Sequence, residues 1–104
     1  MQLSESIRDQ IQALLAEAPQ RNPYKRFTIL AYQLGDVGKC MRYMQIYPEE
    51  RKAQAAYLKT AMADLLIQVV VFAELYGLDI NQLADLGARR LEEFKKKSTY
   101  VEHD

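Results

Sequence analysis

Leu3, Ile7, Ile11, Leu14 and Leu15 recur at intervals of three and four, the period of an apolar stripe along one helix. Ser4 and Glu5 suit the N-terminal end of that helix, and Pro19 closes it. After a polar stretch at 20–22, Asn22 followed by Pro23 pairs an N-cap with a proline at the first helical position. This predicts a second helix to about Ile46, with Phe27, Leu30, Leu34, Val37, Met41 and Met44 along its stripe. Pro48 breaks the pattern and fits the first turn of a third helix, from about 48 to 76. Gly77 is placed to cap it in the left-handed conformation. Asp79 and Gln82 then have the spacing of a capping box, with Leu78 and Leu83 as a hydrophobic staple. A fourth helix starts there, with Ile80, Leu83, Leu91 and Phe94 inward, Arg89, Arg90, Glu92 and Glu93 outward, and fraying expected near 97–104. No strand signal or repeat interrupts the series, so the expected fold is an all-α, four-helix bundle in a single domain over 1–104.

The third helix departs from the usual pattern: residues 65–75 are apolar on nearly every face, unlike the surface helix of a small bundle. Either the other helices surround it or a second subunit covers it. With so little chain for wrapping, a homodimer is the expected arrangement. Asp64, Gln68 and Glu74 punctuate the run and leave it shorter than a membrane span. Fourteen basic residues balance fourteen acidic ones, which removes any global field toward nucleic acid or an anionic membrane. Cys40 is alone, so neither an intramolecular disulfide nor a zinc motif is available. With no signal-peptide pattern at the N-terminus, a soluble cytoplasmic protein is expected.

Two acids stand out against this background. Asp36 and Asp64 lie in apolar helical segments, where the pattern predicts a protein interior. A carboxylate removed from water costs several kcal/mol unless a cation, a metal or several donors meet it. Gln33 and Asp36 are three apart on the second helix, as are Ala61 and Asp64 on the third, so each pair shares a face. Antiparallel packing about the turn at 47–48 sets Asp36 near Ala61 and Asp64 near Gln33. Helix axes roughly 8–10 Å apart then bring both carboxylates within reach of one hydrated cation. Hard oxygen ligands of this kind suit Mg²⁺, which is held by one or two carboxylates together with substrate phosphates.

The strings YQLGDVGK at 32–39 and AMADLLIQVVVFAELYGLDI at 61–80 resemble the MazG-like all-α nucleoside triphosphate pyrophosphohydrolases in layout: ExxE on one helix, a hairpin, then ExxD on the next. The likeness covers about 24–95. It places the four family carboxylates on Gln33, Asp36, Ala61 and Asp64, so two acids remain of four. The resemblance implies Mg²⁺-dependent (or Mn²⁺-dependent) attack of water between the α and β phosphates of a nucleoside triphosphate, releasing pyrophosphate and a nucleoside monophosphate. Asp36 and Asp64 are then the expected catalytic and metal-binding residues. Gln33 offers a neutral carbonyl oxygen to the metal, and the methyl of Ala61 offers nothing. A non-catalytic relative, acting as a nucleotide-binding or interaction module, is the alternative that the two replacements favour. A purely structural role for the aspartates, neutralised by Lys39, Arg42 or Lys59 and hydrogen-bonded to Gln33, Gln68 or a tyrosine, is the third.

Among the cations, Lys39, one turn beyond Asp36, and Arg90 on the fourth helix are the candidates for phosphate binding, ahead of Lys25, Arg26, Arg89 and Lys95 to Lys97. Tyr32, Tyr43, Tyr47 and Tyr57 flank the hairpin and can stack on a base, although packing into the core is their ordinary use. Cys40 falls one turn from Asp36, in reach of the same site, although a small buried hydrophobe is its better reading. The stretch 72–91 also resembles a helix-turn-helix, but its would-be recognition helix opens with Asp79, Ile80, Asn81 and Gln82 rather than cations. A di-iron carboxylate bundle would need Glu-x-x-His pairs, and the single histidine, His103, stands in the tail.

Overall fold

The computed structural model describes the backbone of residues 2–101 and the side chains of residues 2–97. It is all-α: 89% helical, with four helices and no strand among the described residues. The helices are α1 (Glu5–Leu15), α2 (Pro23–Ile46), α3 (Arg51–Leu75) and α4 (Ile80–Val101), with short 3₁₀ turns at Ala18–Arg21 and Pro48–Glu50. The fourth helix thus continues past the expected fraying point near 97; residues 102–104, and His103 with them, lie outside the described residues.

Local chemistry sets each boundary. Ser4 Oγ accepts from the Ile7 amide at 3.2 Å and starts α1. The Arg21 guanidinium donates to the carbonyls of Leu15 and Ala16, at 2.9 and 3.1 Å, and caps the far end of the same helix. Asn22 Oδ1 accepts from the amides of Tyr24 and Lys25 and starts α2 beside Pro23. Gly77, at φ +67°, turns the chain out of α3, and the Leu78 amide reaches back to the Ala73 carbonyl at 2.9 Å. Asp79 Oδ1 then accepts from the amides of Asn81 and Gln82 and starts α4.

Most of the tertiary packing lies between α2 and α3, which form a long antiparallel hairpin. The tightest core sits at its base: Ile11 of α1 packs with Val70 and Val71 of α3, flanked by Leu3, Leu14, Leu15, Ile67 and Ile80. Arg26 is buried too, 4% exposed, with no hydrogen-bond partner for Nε or Nη1.

Two expectations about the core are corrected. The inward stripe of α4 ends after its first turns: Ile80 and Leu83 are half-buried, whereas Leu91 and Phe94 are exposed. The reason is that α4 packs on the body mainly through its start against α3 and then projects away from it. Of the two arrangements weighed for α3, enclosure by the other helices is not seen, since Met62, Leu66 and Val69 stay exposed. Its polar punctuation also breaks the apolar run less than expected. Pro48–Leu75, with mean hydropathy 1.5, is long and apolar enough to cross a membrane by length and composition alone.

Candidate metal and nucleotide site

Both aspartates face one cavity of about 650 Å³ on the α2–α3 hairpin. From α2 the wall takes Asp36, Lys39, Cys40 and Tyr43; from α3 it takes Gln54, Tyr57, Thr60, Ala61 and Asp64. Early residues of one helix meet late residues of the other, the antiparallel register expected from the turn at 47–48. Apart from the adjacent pairs 39/40 and 60/61, the lining positions on each helix recur at intervals of three and four, so the helix repeat holds these groups on one face.

The surroundings of the two acids differ from the expected interior. Asp36 is half-buried and Asp64 is exposed, because no third helix covers this part of the hairpin. The buried members of the wall are the small ones, Cys40 and Ala61. Neither carboxylate has a hydrogen-bond or ion-pair partner among the described residues, so the neutralising contacts of a structural role are not made. Desolvation therefore does not force a ligand here. Unpaired carboxylates at the lip of an open cavity are instead free to accept one.

The other expected site residues are divided by the fold. Lys39 lines the cavity with the aspartates. Gln33 is half-buried one turn before Asp36 and is not part of the wall. Arg90 sits on the projecting α4, its guanidinium carbon 5.3 Å from the Phe94 ring centroid, and does not line the cavity either. Arg26 is withdrawn into the protein. Tyrosine packing into the core is corrected as well, since Tyr32 and Tyr57 are exposed. Tyr57 borders the cavity, and Tyr43 stacks on Tyr47 with ring centroids 5.9 Å apart. Cys40 is buried, the reading preferred for it, and also forms part of the wall. Gln54 and Thr60 were not anticipated. The signal for Gln54 was the series 54, 57, 61 and 64 on α3, and that for Thr60 its place four residues before Asp64; both continue the face of Asp64 by helical spacing.

No cluster of three or more acids, histidines or cysteines fit to hold a metal occurs among the described residues. The oxygens near the two acids are their own carboxylates and the Thr60 hydroxyl; Gln54 lies ten residues from Asp64 on the same helix, about 15 Å along it, and serves another part of the wall. That donor set fits one hydrated Mg²⁺, which retains waters and needs only one or two protein carboxylates. It does not fit a fully coordinated metal pair.

In comparisons with known proteins, the chain matches no family model, no curated protein and no solved structure.

Proposed function

We propose that the hairpin cavity takes a nucleoside triphosphate together with one divalent cation, and that the reaction run there is hydrolysis to the monophosphate and pyrophosphate, as in the MazG-like enzymes the sequence resembles. The observation that carries this reading is the meeting of Asp36, Asp64 and Lys39 in one cavity of about 650 Å³, a volume within the usual range of small-molecule sites, about 300–1,000 Å³.

Asp36 and Asp64 would hold Mg²⁺ or Mn²⁺, which when bound supplies charge neutralisation on the phosphates and acidifies a water. The Lys39 ammonium, on the same wall, meets phosphate oxygens as a point charge. Tyr57 presents a ring face on which a base stacks, and the Gln54 amide and Thr60 hydroxyl offer hydrogen bonds to base or sugar edges. Asp36 is half-buried and Asp64 exposed, so Asp36 is the more shielded of the two from bulk water.

One observation favours a second reading, nucleotide binding without turnover. Ala61 gives the wall a methyl group one turn before Asp64, and no third carboxylate lines the cavity. Pyrophosphate release from a panel of canonical and modified nucleoside triphosphates, with Mg²⁺ or Mn²⁺, separates the two when run beside calorimetric titration of the same nucleotides. Metal-dependent release that disappears in Asp36→Ala/Asp64→Ala is expected of the enzyme. Metal-dependent binding lost in that variant, with no release from the wild type, identifies the module. A folded wild type that neither releases pyrophosphate nor binds any nucleotide sinks both.

A further inference from the structure

The distal half of α4 has no role in the packing of the body or in the hairpin cavity. Ile80 and Leu83, near its start, are half-buried. The next large apolar side chains on the same face, Leu91 and Phe94, are 69% and 51% exposed. Although the chain carries no formal net charge, residues 89–97 hold five cations against two acids, Glu92 and Glu93. Positive charge is therefore gathered where the apolar face lies open.

The placement of these charges around the helix is ordered. At about 100° per residue, Leu91 and Phe94 centre a stripe that Gly87, Leu83 and Ile80 continue back toward the body. Arg90 and Lys97 fall about 70–90° to one side of that centre and Lys95 about 70° to the other, whereas Glu92 and Glu93 fall about 130° away. Both margins of the stripe are thus cationic, and the acids lie toward the opposite face. The Arg90 guanidinium carbon is 5.3 Å from the Phe94 ring centroid, which keeps this cation at the edge of the apolar face. Long cationic side chains so placed lay their stems along apolar surface and lift their charges to its rim. A helix with an apolar stripe between cationic margins is built to lie in the plane of a membrane interface.

We propose that the distal half of α4 docks on an anionic bilayer surface, with Leu91 and Phe94 at the acyl boundary and Arg90, Lys95 and Lys97 among the headgroup phosphates. Charge complementarity selects this occupant. A flat anionic surface meets both margins of the stripe at once. A second copy of the same arm would set cation against cation along both margins in either orientation, and like charges facing each other across an interface are costly. The contact is peripheral, because a helix charged on its remaining faces cannot span the hydrocarbon. It uses no residue of the hairpin cavity, so it stands or falls apart from the nucleotide reading.

Flotation of the full chain with vesicles of phosphatidylcholine, alone or mixed with phosphatidylglycerol, tests the assignment. Three cations at the surface should make binding to the anionic vesicles about a hundredfold tighter than to the neutral ones at low salt, and the preference should shrink as added salt shortens the screening length. Leu91→Glu/Phe94→Glu should abolish binding, and Arg90→Gln/Lys97→Gln should weaken it about thirtyfold, each with helical circular dichroism retained. Should the first variant unfold, the second decides. No flotation with anionic vesicles, equal flotation with neutral ones, or anionic binding unchanged in either folded variant would overturn the proposal. A mass that drops from several chains to one in Leu91→Glu/Phe94→Glu, read by sedimentation equilibrium, would also overturn it, by giving the stripe to a second copy.

Discussion

The two ends of the α2–α3 hairpin are built from the same kind of helix and end up in opposite states. At the base, α1 lies across α3, and Ile11, Val70 and Val71 are nearly sealed from water. Toward the turn nothing lies across, and the same two helices leave a cavity bordered by Asp36 and Asp64. Burial at the base supplies stability at about 25 cal/mol per Å² of apolar surface. Openness near the turn leaves polar groups able to exchange water for a ligand. The difference teaches that in a small helical protein polar groups stay open to solvent and ligands where a short first helix fails to reach.

The contrast breaks most visibly at Ile11. Ile11→Ala is expected to cost about 3 kcal/mol, from lost burial and the cavity left between α1 and α3, as a lowered midpoint in urea denaturation. A cost under a few tenths would mean that the base is no better packed than the turn end. Arg26 sharpens the comparison from the opposite direction. Its Nε and Nη1 are buried without hydrogen-bond partners, and exchanging such a group for an apolar side chain of similar length removes a desolvation cost. Arg26→Met should therefore stabilise the protein, by about 1–2 kcal/mol in the same denaturation experiment; a loss of stability would show that the guanidinium carries favourable interactions. The smallest effect belongs to the site. Asp36→Asn/Asp64→Asn in metal-free buffer should alter the unfolding free energy by no more than about 0.5 kcal/mol, as surface substitutions do. A large gain would expose repulsion between the two acids, and a large loss would give them a structural role.

How legible each part was follows from what a repeat encodes. Helix limits were readable because caps are local: Asn22 with Pro23, Gly77 and Asp79 each act within a few residues. The convergence of Asp36 and Asp64 was readable because one tight turn fixes an antiparallel register. The openness around them was not, since a period identifies a face without saying how many neighbours cover it. That is why Asp64 and Tyr57 were expected inside and lie exposed. Arg90 lies away from the hairpin cavity for a related reason: α4 has a clear amphipathic pattern, but the direction in which it leaves α3 is set by a few torsions around Gly77.

Those torsions have a mechanical side. α4 has 22 residues, about 33 Å at 1.5 Å each, anchored near its first turn. It is a lever with its fulcrum at residues 77–79, and a rotation of about 10° there carries the far end through about 6 Å. Whatever seats Leu91 and Phe94 sets the angle of the whole arm, so a distance probe between α4 and the hairpin would register assembly long before the core felt it.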